Sequence, residues 1–223
     1  MLAYLLTVNG KKCADNLQIR CNFCSPKTSQ SNCNMLQDLI LKNRSYRRFD
    51  QSEIVPMRLL RAMVEAARLS ASARNMQPLK YMLFNDSDSC SRIFPALAWA
   101  GYLKEWTGPD DGERPSAYII QLGDLELTDD WWCDDGIAAQ SMLLTAVEEN
   151  FGGCIVASVQ REKLRDLLDI PDQYKIIQVI ALGKPAENVV IDELKPGGDI
   201  RYWRDEAGLH HVPKRSLDEL IIG

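Results

Sequence analysis

The sequence predicts an α+β fold of one large domain, on three observations. The chain has 223 residues, of which 46% are apolar, so it is long enough to bury a substantial core. Candidate strands and helices follow one another without the strict alternation that a doubly wound parallel sheet requires. One candidate helix, at 136–150, is apolar on nearly all sides, which is typical of a helix buried in the middle of a large fold.

The first half of the domain contains two helices, then a strand and a third helix. From Met35 onward apolar residues recur at spacings of three and four, which predicts a helix. A second helix is predicted at 52–69, with Ser52 as its N-cap and Pro56 early enough in the first turn to be tolerated. A strand at 80–84, a helix at 89–103 with Pro95 as a kink or a late start, and a loop at 107–115 complete this half.

The second half begins with an apolar strand at 116–122 and continues with the helix at 136–150. Acidic residues at 134–135 open this helix, and a glycine pair at 152–153 ends it. The later elements are a strand at 154–159, a helix at 161–169, a strand at 174–182 and a short amphipathic turn at 217–221 within a polar tail.

Net charge and hydropathy argue against two classes of partner. The chain carries 26 basic and 31 acidic residues, a net charge of −5, which disfavours a nucleic-acid surface and binding to anionic lipid. No apolar run approaches the roughly 20 residues that span a bilayer. The apolar opening residues have no basic segment before them. We therefore expect a cytoplasmic protein without nucleic-acid or membrane partners.

Residues 1–34 differ in composition from the rest of the chain. Cys, Asn, Ser, Lys and Gln dominate this segment without any helical or strand period, so we predict a poorly ordered N-terminal extension before the domain at 35–223. The extension would then be a tail that is translated from an upstream start codon, and Met35 would be the alternative start. The alternative is a metal module of Cys21 and Cys24 with two more distant cysteines, although structural zinc sites usually have two close ligand pairs.

Three arginines and a serine lie within five positions directly after the first helix. Arg44, Ser45, Arg47 and Arg48 are followed by Phe49. Guanidinium groups beside a hydroxyl suit a phosphate group, which they bind through forked, charge-assisted hydrogen bonds. Taken alone, such a cluster is also typical of a solvated face or a set of ion pairs, so both interpretations stay open at this point.

A short polar loop follows the second helix. It contains Ser72, Asn75 and Gln77 and ends at Pro78, before a predicted strand. Serine, asparagine and glutamine offer the mixed donors and acceptors that a heterocycle with imide edges requires. The same residues would also serve as a capping loop that ends the helix, and the two roles are compatible.

The two motifs together resemble the FMN-dependent nitroreductase family. The first has the family pattern Arg-Ser-x-Arg-x-Phe. The second matches the family loop Pro-Ser-Ala-x-Asn-x-Gln-Pro-Trp, except that Ala71 replaces the first proline and Leu79 the tryptophan. The resemblance, which spans about 35–222, implies a homodimeric sandwich with a mostly antiparallel central sheet flanked by helices. It also implies active sites at the subunit interface, with the helix at 136–150 in the core of that interface.

The resemblance further implies roles for particular residues. Arg44 and Ser45 would contact the FMN phosphate and ribityl chain. Arg47 would lie near the flavin pyrimidine edge, as electrostatic support for the reduced ring. The remaining implied cofactor-binding residues are Ser72, Asn75 and Gln77 for the flavin ring and ribityl hydroxyls, Ile155 and Val156 for the flavin face, and Lys214 and Arg215 for the phosphate.

The implied function is that of an NAD(P)H-dependent flavin oxidoreductase. Hydride would pass from NAD(P)H through the flavin to a quinone, a nitroaromatic or a similar small-molecule acceptor by a ping-pong mechanism. The chemistry would be carried by the flavin rather than by a catalytic side chain. Two alternatives stay open: a flavin enzyme of the same fold with a dedicated substrate, such as a reductive dehalogenase, and a non-catalytic flavin-binding or redox-sensing protein.

Other kinds of site find no support in the sequence. The only histidines, His210 and His211, are adjacent and therefore cannot both face one metal ion from a regular element. There is no Gly-x-Gly-x-x-Gly or Walker pattern, so a nicotinamide would bind transiently over the flavin. We expect no metal site.

Overall fold

The computed structural model describes residues 35–223, and the predicted extension at 1–34, with the alternatives for its cysteines, lies outside the described residues. The helices are α1 (Met35–Lys42), α2 (Met57–Leu69), α3 (Ser87–Ile93), α4 (Asp134–Glu148), α5 (Arg161–Leu168) and α6 (Leu217–Leu220). The strands are β1 (Phe49–Asp50), β2 (Leu79–Phe84), β3 (Ala117–Asp124), β4 (Gly152–Val156), β5 (Tyr174–Pro185), β6 (Val189–Glu193), β7 (Trp203–Arg204) and β8 (His210–Lys214).

Five strands form a central antiparallel sheet, which confirms the predicted sheet type. The long strand β5 pairs with β3, β4 and β1, and β2 pairs with β3. Successive side chains of β3 belong to different cores, because side chains alternate between the faces of a sheet: Ala117 and Ile119 lie on one face, and Tyr118 and Ile120 on the other. Each face therefore carries its own apolar core.

Helices cover both faces of this sheet. Leu59 of α2 and Met142 of α4 pack in the core that contains Ile119. Ile93 of α3 and Leu164 of α5 pack in the core that contains Tyr118. Burial of one such aliphatic side chain contributes about 1.5–3 kcal/mol, so both layers are needed to stabilise the fold. The result is the helix–sheet–helix sandwich of the predicted α+β class.

Helix α2 begins later than predicted, and Ser52 is not its N-cap. The cap position is Pro56, which makes no side-chain capping bond. Ser52 instead donates from both its backbone nitrogen and its hydroxyl to the Asp50 carboxylate. This local turn satisfies the polar groups that the helix would otherwise use, and proline, which lacks an N–H, suits the helix start.

The predicted helix at 89–103 is wrong beyond its first half. Helix α3 is capped by Asp86, which accepts a hydrogen bond from the Ser89 nitrogen, and it ends at Ile93. A short 3-10 turn (Phe94–Ala96) follows, with a proline at its start. The chain then becomes extended at Leu97, which forms a bridge to Val159 on a distant segment. That long-range pairing, rather than the local apolar pattern, decides the backbone here.

Helix α4 is more exposed than its sequence suggests. Ala139 and Met142 are fully buried, but Ile137 is 38% exposed and Gln140 also lies at the surface. The prediction that glycines end this helix is wrong. Asn150 takes the left-handed conformation after the last turn, with φ of 61°.

The glycine pair belongs to strand β4, which therefore starts two residues earlier than predicted. A Cβ atom at Gly153 would lie 2.2 Å from the carbonyl oxygen of Ala181 on β5. A Cβ atom at Gly152 would lie 2.6 Å from the ring of Tyr46. Glycine is therefore required here because two neighbouring segments approach the backbone of β4 closely.

A second, three-stranded sheet forms near the C-terminal end of the chain, and two of its strands, β7 and β8, lie in the segment that was predicted to be a polar tail. β8 pairs parallel to β6 and antiparallel to β7. None of the three strands was predicted from the sequence, because they are short and their pairing joins segments about twenty residues apart. As for membrane insertion, none of the helices in the described part of the chain reaches the length and hydropathy of a bilayer span.

Candidate functional site

The arginine-rich loop, residues 43–48, runs beside the glycines of β4. Ser45 forms a bridge with Gly153, and the Tyr46 nitrogen donates to the Gly153 carbonyl oxygen at 3.1 Å. This contact requires the missing side chain at Gly152, since the Tyr46 ring occupies that space. The glycines thus fix the backbone of the loop against the sheet.

A buried carboxylate, that of Glu187, holds the same loop from the other side. Its side chain is only 2% exposed and accepts hydrogen bonds from the backbone nitrogens of Arg47 and Arg48. Its second oxygen lies 2.9 Å from Nη2 of Arg204. Glu187 was not predicted as a site residue, because a single glutamate after the last predicted strand carries no signal of burial.

The side chains of this loop line a cavity of about 350 Å³. Five of the residues that the sequence analysis proposed are in its wall: Arg44, Ser45, Arg47, Ile155 and Lys214. Nη2 of Arg44 donates to the Ile40 carbonyl oxygen at 2.7 Å, whereas its buried Nε has no hydrogen-bond partner among the described residues. Three cationic side chains therefore converge on one cavity.

A second cavity, of about 190 Å³, adjoins the first and shares Arg47, Ile155 and Tyr202 with it. Val156, another proposed residue, lines this second cavity. The guanidinium carbon of Arg47 lies 4.9 Å from the centre of the Tyr202 ring, and Nη1 donates to the Ser45 carbonyl oxygen at 3.1 Å. The Arg47 side chain is thereby held in one orientation where the two cavities meet.

His210 and Cys154 are buried titratable residues of these cavities. Burial lowers the pKa of His210 to about 4, so the imidazole is neutral at neutral pH. Burial also raises the pKa of the Cys154 thiol to about 12, which excludes a reactive thiolate. Within residues 35–223, no cluster of three or more metal-binding side chains occurs.

The loop of Ser72, Asn75 and Gln77 lies in a different place. Ser72 and Gln77 line a third cavity of about 270 Å³. Ser72 donates its hydroxyl hydrogen to Asp134 at 2.6 Å and accepts a hydrogen bond from the Gln77 nitrogen at 2.9 Å. The Ala73 nitrogen donates to the other Asp134 oxygen at 2.9 Å. Asp134, 4% exposed, therefore organises this loop, a role that the sequence analysis did not assign to it.

Three residues of this loop have positive backbone φ angles, which non-glycine residues seldom adopt. Arg74, Asn75 and Gln77 have φ angles of 53°, 55° and 50°. Such conformations cost of order 1–3 kcal/mol each and persist only where the surrounding contacts impose them. The hydrogen bonds that Ser72 and Ala73 donate to Asp134 supply such contacts for the loop.

Helix α4 separates the third cavity from the first. Asp134 and Ala138 line the third cavity, and Gln140 and Leu143 line the first. Because an α-helix turns by about 100° per residue, these two pairs lie on opposite sides of α4. A single chain thus places the two sequence motifs in separate cavities.

Two proposed residues lie outside the three cavities. Asn75 is exposed in the Ser72 loop, and its carbonyl oxygen accepts a hydrogen bond from the Gln77 amide at 3.2 Å. Arg215 forms an ion pair with Glu219, one turn later at the start of α6. Neither side chain lines the cationic cavity, the one formed by Arg44, Arg47 and Lys214, so their roles stay predictions.

Comparison with known proteins identifies the family. The family model described as the nitroreductase family matches residues 40–111 and 112–184, which is more than half of the chain. A protein of Methanothermobacter thermautotrophicus, with the provisional name NADH dehydrogenase/NAD(P)H nitroreductase, is 27% identical over 157 residues, 68% of this chain and 78% of the relative.

Solved structures agree on the fold. An FMN-dependent nitroreductase from Clostridium difficile matches with a TM-score of 0.56 at 22% identity, covering 66% of this chain and 87% of the other. The NADPH:FMN oxidoreductase of Vibrio harveyi, solved with NAD+, matches with a TM-score of 0.55 at 21% identity, covering 69% and 70%. The sheet type, the two-faced core and the family match lead to one conclusion: the chain belongs to the nitroreductase family.

Proposed function

We propose that this protein is an FMN-dependent oxidoreductase that takes hydride from NAD(P)H and reduces a quinone, a nitroaromatic or a similar acceptor by a ping-pong mechanism. The observation that carries the proposal is the convergence of Arg44, Arg47 and Lys214 on one cavity. Family membership supports the oxidoreductase class, and the names of the similar proteins support a nicotinamide as electron donor and a flavin as cofactor.

The residues of the cavity fit the terminal phosphate of FMN. Guanidinium and ammonium groups bind phosphate through short, charge-assisted hydrogen bonds, and Arg44 and Lys214 supply one of each. The buried Nε of Arg44, which no described residue satisfies, is a donor suited to a ligand oxygen. The hydroxyl of Ser45 adds a neutral donor beside the two cations.

The other cavity residues suit the ring. Bound FMN would supply the hydride chemistry, which leaves the protein to bind, orient and polarise. Arg47, fixed over Tyr202, would place a positive charge at the polar edge of the ring and so stabilise negative charge there. Ile155 and Val156 would provide an apolar wall that limits the access of water.

A homodimer would bring the two sequence motifs together. Within one protomer α4 lies between the Ser72 loop and the cationic cavity, so we propose that the partner's copy of this loop completes the site. Exposed apolar side chains support an interface: α1 has no buried residue, and Leu36 and Leu41 are 62% and 59% exposed. Ile137 of α4 is exposed as well.

The test is the pair of substitutions Arg44→Ala and Arg47→Ala. Each should raise the Kd for FMN by about 10- to 100-fold, since a hydrogen bond to a charged group is worth about 1.5–3 kcal/mol. Fluorescence quenching of FMN measures the Kd, and oxidation of NADH or NADPH with a quinone, a nitroaromatic or no acceptor measures turnover. Arg58→Ala, which removes an exposed arginine paired with Glu149 at 3.5 Å, is the matched control.

Two outcomes would contradict the proposal. If both cavity variants kept FMN and turnover at the level of the control, the cationic cavity would not be the flavin site. If the wild-type protein bound FMN but oxidised neither NADH nor NADPH with any acceptor, a non-catalytic flavin-binding role would replace the proposed reaction.

A further inference from the structure

His210 is a buried polar residue of the cationic cavity for which the proposed function has no role. It is 1% exposed and lines the cavity together with Val212 and Lys214 of the same strand. Side chains alternate along a strand, so these three share one face of β8. His211, between them, lies on the other face, where its Nδ1 is 2.9 Å from Asp192.

Neither ring nitrogen of His210 has a hydrogen-bond partner among the described residues. Both nitrogens are shielded from solvent, so bulk water does not satisfy them in this conformation. Native proteins seldom leave a buried polar side chain without a partner, and such groups call for a functional or structural reason. The imidazole of His211, one residue away, shows the usual situation, with a carboxylate on each side of the ring.

The charge state of His210 limits what it can bind. Its pKa is lowered to about 4, mainly by burial; Glu187 raises the pKa, and the nearby Arg47, Arg204 and His211 lower it. The ring is therefore neutral at neutral pH and offers one N–H donor and one acceptor nitrogen. A group that both donates and accepts suits hydroxyls or the edge of a heterocycle better than it suits a dianion.

The position of His210 also favours a ligand group other than a phosphate dianion. Lys214 lies four positions further along β8, so the Cα atoms of the two residues are about 13 Å apart at about 3.3 Å per residue. His210 instead lies beside Tyr202, with the ring centres 5.3 Å apart, and Tyr202 is the residue on which Arg47 stacks. His210 is thus remote from the backbone of Lys214 and lies beside the tyrosine that carries the guanidinium of Arg47.

We propose that His210 is a further ligand-binding residue of the cavity and that its neutral imidazole hydrogen-bonds a part of the flavin other than the phosphate. The inference rests on the proposed FMN function. Tyr202, half-buried in an irregular segment between β6 and β7, lies beside the imidazole and keeps Arg47 next to it. The contact adds to the arginine motif a recognition element that does not depend on the phosphate.

Binding of FMN and of riboflavin, which lacks the phosphate, tests the proposal. His210→Phe should weaken the binding of both flavins by a similar factor of about ten, as expected for the loss of one hydrogen bond. Lys214→Ala should weaken FMN binding more than riboflavin binding. His210→Asn, which keeps a donor and an acceptor, should recover part of the loss, and His211→Phe should bind both flavins as the wild type does. Thermal melting of each variant checks that it folds.

Histidine NMR supplies a second readout that is independent of activity. The chain contains only two histidines, so protein labelled with 15N-histidine gives two imidazole spin systems, which the two phenylalanine variants assign. Titration with FMN should shift the ring nitrogens of His210 and leave those of His211 nearly unchanged.

The outcomes separate this inference from the proposed function. If the wild type binds FMN while the His210 signals stay still and His210→Phe binds normally, the role of His210 is wrong and the flavin site stands. If His210→Phe weakens FMN binding alone, the contact is with the phosphate and the proposal is also wrong. If the wild type binds neither flavin, the proposed function fails and this inference fails with it.

Discussion

The arginine loop at 43–48 and the Ser72 loop at 72–78 are both short and polar, yet they use their polar groups differently. The arginine loop is fixed through its backbone, by Gly153 and by the carboxylate of Glu187. Its side chains therefore keep hydrogen-bonding capacity that faces a cavity, as the unpartnered Nε of Arg44 shows. In the Ser72 loop the side chains themselves hold the backbone.

The consequence for function is a difference in what remains available to a ligand. The Ser72 hydroxyl donates to Asp134 and accepts from the Gln77 nitrogen, so only one lone pair is left. The Gln77 amide nitrogen donates to the Asn75 carbonyl oxygen, but it has a second hydrogen to offer. A polar residue in a loop is thus a good ligand candidate only when the fold does not already use its polar atoms.

Removal of the Glu187 carboxylate should produce the largest effect. Glu187→Ala leaves Arg204, whose side chain is only 14% exposed, without its partner, and frees two backbone nitrogens of the arginine loop. Breaking a buried pair from one side costs about 3–5 kcal/mol, so the free energy of unfolding should fall by about that amount in urea denaturation. Glu113→Ala, which removes a half-exposed partner of Arg48, should cost about 1 kcal/mol or less. Equal losses in the two variants would contradict the role of Glu187.

Acid should lower the free energy of unfolding, because His210 takes up a proton more readily in the unfolded chain. The folded-state pKa of His210 is about 4, against an ordinary value of 6.5, so between these pH values the unfolded chain binds the extra proton. The stabilisation is complete above about pH 6.5 and is lost as the pH falls toward 4, by roughly 3.5 kcal/mol over 2.5 pH units at about 1.4 kcal/mol per unit. Urea denaturation of the flavin-free protein between pH 7.5 and 4.5 measures this slope.

Two variants isolate the contribution of His210 to that slope. His210→Phe should lose this part of the pH dependence, and His211→Phe should retain it. The same slope in both variants would mean that carboxylates elsewhere in the protein cause the acid sensitivity.

Loss of the Asp134 carboxylate should have a smaller effect, on the other loop. Asp134→Ala removes the acceptor of both the Ser72 hydroxyl and the Ala73 nitrogen, and should lower the free energy of unfolding by about 2 kcal/mol. Ser72→Ala should cost less, because Ala73 keeps its bond. Asp135→Ala is the control, because Asp135 is the neighbouring acidic residue outside this network. If Asp134→Ala and Asp135→Ala were equally stable, the loop would not depend on Asp134.

Local patterns predicted much of the fold and the cationic half of the candidate site. Helices α1 and α5 and strand β3 follow from apolar periodicity within one segment, and the structure places them within a residue or two of the predicted bounds. The arginine motif was identified from residue type and Lys214 from the family resemblance, and the structure gathers Lys214 with Arg44, Ser45 and Arg47 in one cavity. In each case neighbouring residues contain the relevant physical information.

Only the tertiary structure revealed which polar residues are buried and which remain free. Glu187 bonds to a nitrogen 140 residues away, and Asp134 to a hydroxyl 62 residues away. The parallel pairing of β6 with β8 likewise joins segments about twenty residues apart in the chain. By itself, the sequence determined the family motifs and the elements with a strong local period. Burial and hydrogen-bond partners depend on contacts between distant segments, so the roles of Glu187, Asp134 and His210 emerged only once the chain was folded.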